Sequence, residues 1–516
     1  MFSNILFMKK TTKKSIVFIM LLLLFSNIVF GQSWGDYTLI ASQGSTTAKL
    51  VTLTGTTYKS WTLTGSNGYS CFLTPDRCLI RIVGGSGGNA GSRIEKVSWD
   101  GQVIWTYNVS AHHDICYMPN GHVLAAVLTT ATSAELTQYG FTGVTNSLKY
   151  DKIVEIDGVN GQIVWEWRFI DHTVQGTNSS LANYGVPSET PNKFNVATQG
   201  TGGYSDWQHL NGIDYNPARD QIVFSCKHLK EVFVIDHSTT TAEAKTGSGG
   251  LSGKGGDFLF RWGNPTNYGK TGATFGVIHD AAWGLGETYQ AQSEDSTLST
   301  YHVYAGMISV WSNTNVGGMC IQPPYIDSSY LFQYVAGSSY LPSTYYRKLT
   351  LTGNSTNMGG NQLLPNGNML LFAGSGASTA YEKSPSGTTV WSNNTANGCS
   401  KVTRYSAAYV NGDYATICAN VEIGSIDTTH STNNNNGVSD ITVPKISFKN
   451  PVSIGEIVQL YNLDQNYNNT IQLYDITGKL IESIQNETQI TIPSVKTGIY
   501  ILKINGYGYK IMIKQQ

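Results

Sequence analysis

A pattern that recurs along the chain constrains its fold more than any other feature. Alternating apolar residues run through a Gly turn to a Trp in "KVSWDGQVIW" (ending at Trp105), "IVEIDGVNGQIVW" (Trp165), "GGDFLFRW" (Trp262) and "KSPSGTTVW" (Trp391). A weaker copy, "TTYKSWTL", contains Trp61, and a degenerate one, "SSYLFQY", lies near Phe332. A second piece precedes these, an apolar strand, a turn and another strand: "YSCFLTPDRCLIRIVGG", "HDICYMPNGHVLAAV", "IDYNPARDQIVFS" and "NQLLPNGNMLLFAG". Pro followed by Asn or Asp presets such a turn, and Gly121 and Gly367 supply the positive dihedral that closes the hairpin. Each unit therefore reads as four strands ending in a buried Trp, and about six units predict a six-bladed β-propeller. "CSKVTRYSAAYVNGDYATICA", after Trp391, is placed to add the strand that closes the ring onto the first blade. The spacing between units is uneven, so long loops interrupt several blades, and loops of that kind usually carry binding function.

Composition agrees with an all-β reading. Only 13% of the 516 residues are charged, against about 25% in a typical soluble domain. With 55 Gly and 30 Tyr the chain suits short strands and tight turns, and coiled coils, helical solenoids and collagen are excluded. Lys9, Lys10, Lys13 and Lys14 precede an apolar stretch from Ile16 to Phe25, and Val29-Phe30-Gly31 ends in a small residue. Residues 1–31 therefore read as a cleaved secretory signal, the apolar stretch being shorter than the ~20 residues a spanning helix needs. No later segment is apolar and long enough to span a bilayer. Seven Cys leave one unpaired in a compartment where disulfides persist, and their connectivity is open. The formal charge of −1 includes the four signal lysines, so the processed chain is mildly acidic and no nucleic-acid partner is expected.

Residues 32–422 are assigned to the propeller. Residues 423–445, with "TTHSTNNNNGVSD", read as a polar linker, and 446–516 return to short alternating strands that predict a small C-terminal β-sandwich. This last segment has no His or Cys, which points to a structural or addressing role. Asn450-Pro451, "LYDITGKLI" (473–481), "TGIYILKI" (497–504) and the short basic strand ending at Lys514 resemble the C-terminal sorting domain of proteins exported by the type IX secretion system of Bacteroidetes. The resemblance implies passage through the periplasm, contact with the type IX machinery, and release or attachment at the cell surface.

Chemistry is expected on the inner strands. Aligning the units on their turns puts His113, Asn211 and His279 at equivalent places, and His209, two residues before Asn211, is expected to share a strand face with it. Histidines from three blades would then converge on one axial pocket. His113-Asp114 and His279-Asp280 repeat a dipeptide whose Asp either contributes to the site or merely fixes a turn or an imidazole tautomer. Lys227 and His228 end the adjacent strand, where Lys227 is either a cation at the channel mouth or a solvated strand end. Neutral imidazoles beside a fixed cation suit transfer of an anionic group, one imidazole attacking, another donating a proton, with Lys and Asn holding the spread charge. Imidazole is also a zinc and copper ligand. No His-x-His or His-x-x-x-His pair stands among these positions, so neither a metal nor another cofactor is expected.

"HHDICYMPNGHVLAAV", "DWQHLNGIDYNPARDQIVFSCKH" and "GVIHDAAW" followed by "ISVWSN" resemble the successive motifs of the bacterial arylsulfotransferase (arylsulfate sulfotransferase) family, over most of Tyr69 to Trp391. The Asp-Trp-x-His-x-Asn motif at Asp206 to Asn211 is the most specific element. The resemblance implies a six-bladed propeller that moves a sulfuryl group from a phenolic sulfate to a phenol without a nucleotide cofactor. It places the sulfohistidine nucleophile on His279 and two further active-site histidines on His113 and His209. It also puts an anion-holding Arg at Lys227, within Ser225-Cys226-Lys227-His228. Here Lys keeps the charge and loses the bidentate fork, and Ile278 replaces the usual Gln before the nucleophile. Asn211, His228 and Asp280 complete the expected substrate-binding set. An alternative from another class is a non-catalytic surface propeller that binds glycan or protein. A quinoprotein, suggested by "DGVNGQIVW", is disfavoured by the number of units and the lack of adjacent cysteines.

Overall fold

The structure is a computed structural model that describes residues 33–85, 89–118, 120–144, 147–198, 203–217, 219–284, 307–323, 342–353, 355, 357–374, 376–411, 452–460, 470–475, 480–485, 487–496, 498–504 and 507–514. The expected secretory signal, the polar linker, Cys418 and the copy near Phe332 lie outside these residues.

The described residues of the repeats form six four-stranded antiparallel sheets, the blades of a β-propeller. Blade 2 runs inner to outer as Asn67–Leu73, Leu79–Val83, Arg93–Val97 and Val103–Asn108, and blade 3 as Ala111–Tyr117, Val123–Thr130, Lys149–Ile156 and Ile163–Arg168. Blades 4, 5 and 6 open with the inner strands Leu210–Asn216, Ile278–Trp283 and Gly360–Leu363. Blade 1 is composite. Its inner strand, Thr403–Tyr405, comes from the far end of the ring and pairs antiparallel with Tyr37–Ile40, the closure expected from the run after Trp391. Gly121 and Gly367 take φ of 87° and 82°, as their hairpins require.

Apolar alternation becomes packing between blades rather than one central core. Val223, Val232 and Val234 of blade 4 meet Ile278, Ile308 and Val310 of blade 5, and similar clusters fill the other inter-blade wedges. The recurring Trp is explained at these wedges. Its indole N–H reaches the next blade or the segment joining it: Trp61 donates to Ser98 O (3.3 Å), Trp165 to Thr239 Oγ1 (3.2 Å), Trp262 to Pro342 O (2.8 Å) and Trp391 to Leu53 O (2.8 Å). Trp61, Trp165 and Trp262 are buried as expected, whereas Trp105 and Trp391 are only half-buried. Trp391 instead lies under the Arg404 guanidinium, 4.1 Å from the ring centroid.

Arg404, on the closing strand, ties both ends of the ring. It is fully buried, pairs with Glu382 of blade 6 (3.1 Å) and donates to Thr38 Oγ1 (2.9 Å) and Trp34 O (2.7 Å) of blade 1. Glu382 also accepts from Trp34 N and Asn368 Nδ2. Between blades 3 and 4, His237 bridges Asp220 (2.7 Å) and Glu155 (3.2 Å).

In the C-terminal segment a five-stranded sheet (Val452–Ser453, Tyr507–Lys514, Gly498–Ile504, Thr470–Asp475, Leu480–Gln485) and a two-stranded ribbon (Ile457–Gln459, Gln489–Thr491) share a separate apolar cluster that includes Val458, Leu473, Ile490 and Leu502. No helix among the described residues is long and apolar enough to cross a membrane.

Two stability predictions follow from the buried charges. Glu382→Ala strands the Arg404 cation in the ring closure, and urea unfolding should show a loss of about 3–5 kcal/mol; a loss below about 1 kcal/mol would mean the closure does not depend on this pair. Burial would depress the His237 pKa, but Asp220 and Glu155 override it and push it up to about 9. Stability held by this imidazolium is complete below the unfolded value of ~6.5 and is lost as pH rises through the folded value, on the order of 3 kcal/mol in all. The unfolding midpoint should fall between pH 6.5 and 9, and His237→Gln should flatten that slope.

Candidate active site

Regular strands would alternate their side chains across each inner blade edge, and here four inner strands break register in mid-course. The breaks fall between Asn67 and Cys71, Ala111 and Ile115, Leu210 and Gly212, and His279 and Ala282. At or beside three of them stands a non-Gly residue in the left-handed region: His113 (φ 53°), His209 (φ 56°) and Asp280 (φ 53°). Bulges of this kind re-aim side chains. His209 therefore does not share a strand face with Asn211: the strand starts at Leu210, and a left-handed turn sets the imidazole.

The Asp-Trp-x-His-x-Asn motif can be read residue by residue. Trp207 is buried against Phe141, Phe169 and Phe194, and its N–H donates to Thr198 O (2.7 Å), so it anchors the segment. Asp206 Oδ2 lies 2.5 Å from His209 Nδ1, and the Asp206 carbonyl 2.6 Å from His228 Nδ1. Asn211 donates to Ile278 O of blade 5 (2.8 Å) and accepts from Ser225 Oγ (2.8 Å). Behind this segment Asp151 of blade 3 holds His112 Nδ1 (2.6 Å) with one oxygen and Leu210 N (2.9 Å) with the other.

The histidines converge. Ring centroids are 4.4 Å apart for His113 and His209, 4.6 Å for His112 and His113, 4.8 Å for His112 and His209 and 4.7 Å for His209 and His228. Tyr69 of blade 2 packs on His113 at 3.9 Å. His279 lines the same axial cavity as His113, Asn211, Tyr69, Met358 and Lys401. Its Nδ1 is 2.5 Å from Asn313 Oδ1, and Asn313 in turn donates to Ser355 Oγ (2.7 Å) and Met358 O (2.6 Å). Those two donations fix the amide so that its oxygen faces the imidazole. His279 is thus held with a proton on Nδ1 and a lone pair on Nε2.

Burial and like charge keep His279, His113 and His209 neutral. Burial pushes the His279 pKa down to about 3, helped by His209, Lys227 and His228 and opposed by Asn313. His113 is held well below its ordinary value by burial and by His209, His112 and His279. Burial also lowers His209, against the pull of Asp206. His112 moves the other way, because Asp151 outweighs the effect of burial.

Of the residues expected from sequence, His209 packs on both His113 and His228, and His279 and Asn211 line one cavity with His113. Lys227 is half-buried and makes no ion pair among the described residues, while its charge depresses His112, His113, His209 and His279. Asp280 has both oxygens engaged, by Lys401 (3.0 Å) and by Asn361 N (2.8 Å), and Asp114 likewise by Lys401 (2.7 Å), Ser70, Ile115 N and Ile213 N. Neither Asp holds the imidazole beside it in sequence. The sequence reading missed His112, for which the doubled His was the signal, as well as Asn313 and Lys401, which carry no local signature. The six described cysteines are all free thiols.

A six-bladed propeller with an imidazole cluster buried on its axis defines the class. Residues 66–248 match the family model for Arylsulfotransferase (ASST), and residues 448–515 match that for the Secretion system C-terminal sorting domain. The match over residues 66–248 supports an arylsulfotransferase-like function, and the chain ends in a type IX sorting domain that marks it for export to the cell surface or the medium. No curated protein matches the chain. Similar solved structures include a protein of unknown function from Bacteroides caccae (11% identity, 72% of this chain and 98% of that one, TM-score 0.37). Others are the Myceliophteria thermophila Cps50 (Swd1) β-propeller domain (10%, 70% and 88%, 0.36) and Kuenenia stuttgartiensis hydrazine synthase (12%, 56% and 69%, 0.34). Likeness at this level does not extend to function.

The neutrality of His279 is directly measurable. In nitrogen-15 imidazole spectra its resonance should stay that of the Nδ1–H tautomer as pH is lowered, protonating only near the value of about 3. A midpoint near ~6.5, the unperturbed value, would contradict the buried, neutral arrangement.

Proposed function

We propose that the propeller transfers a sulfuryl group from a phenolic sulfate ester to a phenolic acceptor through a sulfohistidine on His279. The observation that carries this reading is the Asn313-held, neutral His279 in the same axial cavity as His113, with His209 packed on His113. The His279 Nε2 lone pair attacks sulfur, the N–S bond forms as the aryl O–S bond breaks, and the electron pair leaves on the phenolate oxygen. A proton held on Nε2 of His113, or of His209 in its imidazolium form, goes to that oxygen. Asp206 stabilises the His209 imidazolium through Nδ1. Lys227 and Asn211 counter the charge spread over the transferred oxygens. In the second half-reaction an acceptor phenol attacks the same sulfur, its proton returns to the imidazole that gave one up, and His279 is released, which makes the kinetics ping-pong. The group carries its own activation as an ester, so this scheme uses no nucleotide or other cofactor.

In this proposal residues 1–31 are removed on export, 32–422 form the transferring propeller, 423–445 are the linker and 446–516 the address read by the type IX machinery. Brief exposure of the purified protein to an aryl sulfate should add one sulfuryl mass, mapping to His279, and His279→Asn should lose both adduct and turnover by at least ~10³-fold. Full activity in His279→Asn would overturn the assignment. Ligand binding without turnover across a broad donor panel, insensitive to His113, His209 and His279, would favour a surface-binding propeller instead. Lys227→Arg restores a bidentate fork and should raise turnover, whereas Lys227→Met should lower it by about 10²-fold.

A further inference from the structure

His112, His113 and His209 each place one ligating atom within 4.8 Å of the other two. Their exposures are 0%, 8% and 3%, and the Nε2 atoms of all three lack a hydrogen-bond partner among the described residues. A buried polar atom left unsatisfied costs about 1–3 kcal/mol, so three in contact need a common explanation. Their other faces are committed. Asp151 holds His112 at Nδ1 and Asp206 holds His209 at Nδ1, each leaving a lone pair on Nε2. A carboxylate behind a ligating imidazole is the outer shell that orients histidine toward a metal and raises its basicity. The Tyr69 ring and the left-handed backbone of His113 set the third imidazole.

We propose that His112, His113 and His209 bind one late first-row divalent cation of the Zn²⁺ type. Three imidazole donors with no thiolate suit Zn²⁺, Cu²⁺ or Ni²⁺, whereas Mg²⁺ and Ca²⁺ demand oxygen ligands. The carboxylates of Asp151 and Asp206 balance the dipositive charge from behind the rings. Lys227 is the opposing cation, and as a half-buried chain without an ion pair it is not locked against the cluster. Three protein ligands leave a fourth position for water or an oxyanion. This site stands independently of the sulfuryl-transfer reading, although the two share His113 and His209. A bound cation takes the lone pairs that proton transfer there would use, so it acts as an inhibitor of transfer rather than as its cofactor.

The test uses chelator-treated full-length protein and reads binding without turnover. Calorimetric titration with Zn²⁺ should give one saturable equivalent, and Co²⁺ in its place should give the visible bands of a four-coordinate ion. Asp151→Asn should weaken Zn²⁺ by about 10–100-fold, and His112→Gln should abolish the stoichiometric site, with circular dichroism confirming that both variants fold. Absence of saturable binding, equal binding of Mg²⁺, or Zn²⁺ affinity unchanged in both variants would overturn the site. Because no donor ester enters the experiment, such a failure leaves the transfer proposal untouched.

Discussion

Everything in the propeller depends on joining its two ends, and three residues do it. Thr403–Tyr405 supply the inner strand of a blade whose other strands come from the start of the ring. Three residues of ladder are a weak clasp, so the strand is reinforced by side chains that could not sit elsewhere. Arg404 joins Glu382 to Thr38 and Trp34, and the Tyr405 and Tyr409 hydroxyls bond to Leu73 N and Leu73 O of blade 2. The closure thus holds three blades at once.

Closure and site are the same piece of chain. Lys401, two residues before the closing strand, is driven onto the axis, where it lies between Asp114 of blade 3 and Asp280 of blade 5. Those two carboxylates more than offset its burial and hold its pKa above the ordinary lysine value. Blade order is reinforced by a relay of carboxylates to the next inner strand: Asp114 accepts from Ile213 N, Asp214 from Trp283 N and Asp280 from Asn361 N. The His-Asp dipeptides therefore divide their work. Each Asp binds blades together, and each His is left to face the axis.

This division explains what was legible in the sequence. Blade number and the closing strand could be read because they rest on local periodicity and on turn residues, whose physics acts over a few positions. The convergence of His113, His209 and His279 near the axis could be anticipated because inner strands of a propeller converge whatever the loops do. Their orientation could not, since it depends on bulges and on left-handed residues at His113 and His209, which L side chains rarely adopt and no local pattern announces. Asn313 and Lys401 were illegible for a further reason. Each acts on a residue 34 or more positions away, Asn313 on His279 and Lys401 on Asp280 and Asp114, and neither is distinguished from an ordinary surface Asn or Lys until the ring is closed.

The cluster sets a problem that burial alone does not solve. Burial pushes His113 and His209 toward the neutral form, while Asp151 draws His112 the other way, and it strips the Nε2 atoms of all three of water without giving them partners among the described residues. Such an arrangement persists only if the surrounding structure over-determines it. Here Asp151 and Asp206 pin two rings from behind, Tyr69 packs on the third, and Trp207 anchors the segment that carries Asp206 and His209. Rings pinned from behind with free lone pairs in front are prepared for an electron-pair acceptor that enters the axis, a proton or a metal ion. His279 differs in one respect: its support is an amide rather than a carboxylate. Asn313 orients the ring and favours a positive charge on it too little to offset burial, so His279 remains an electron-pair donor beside neighbours whose carboxylates suit them to carry a proton.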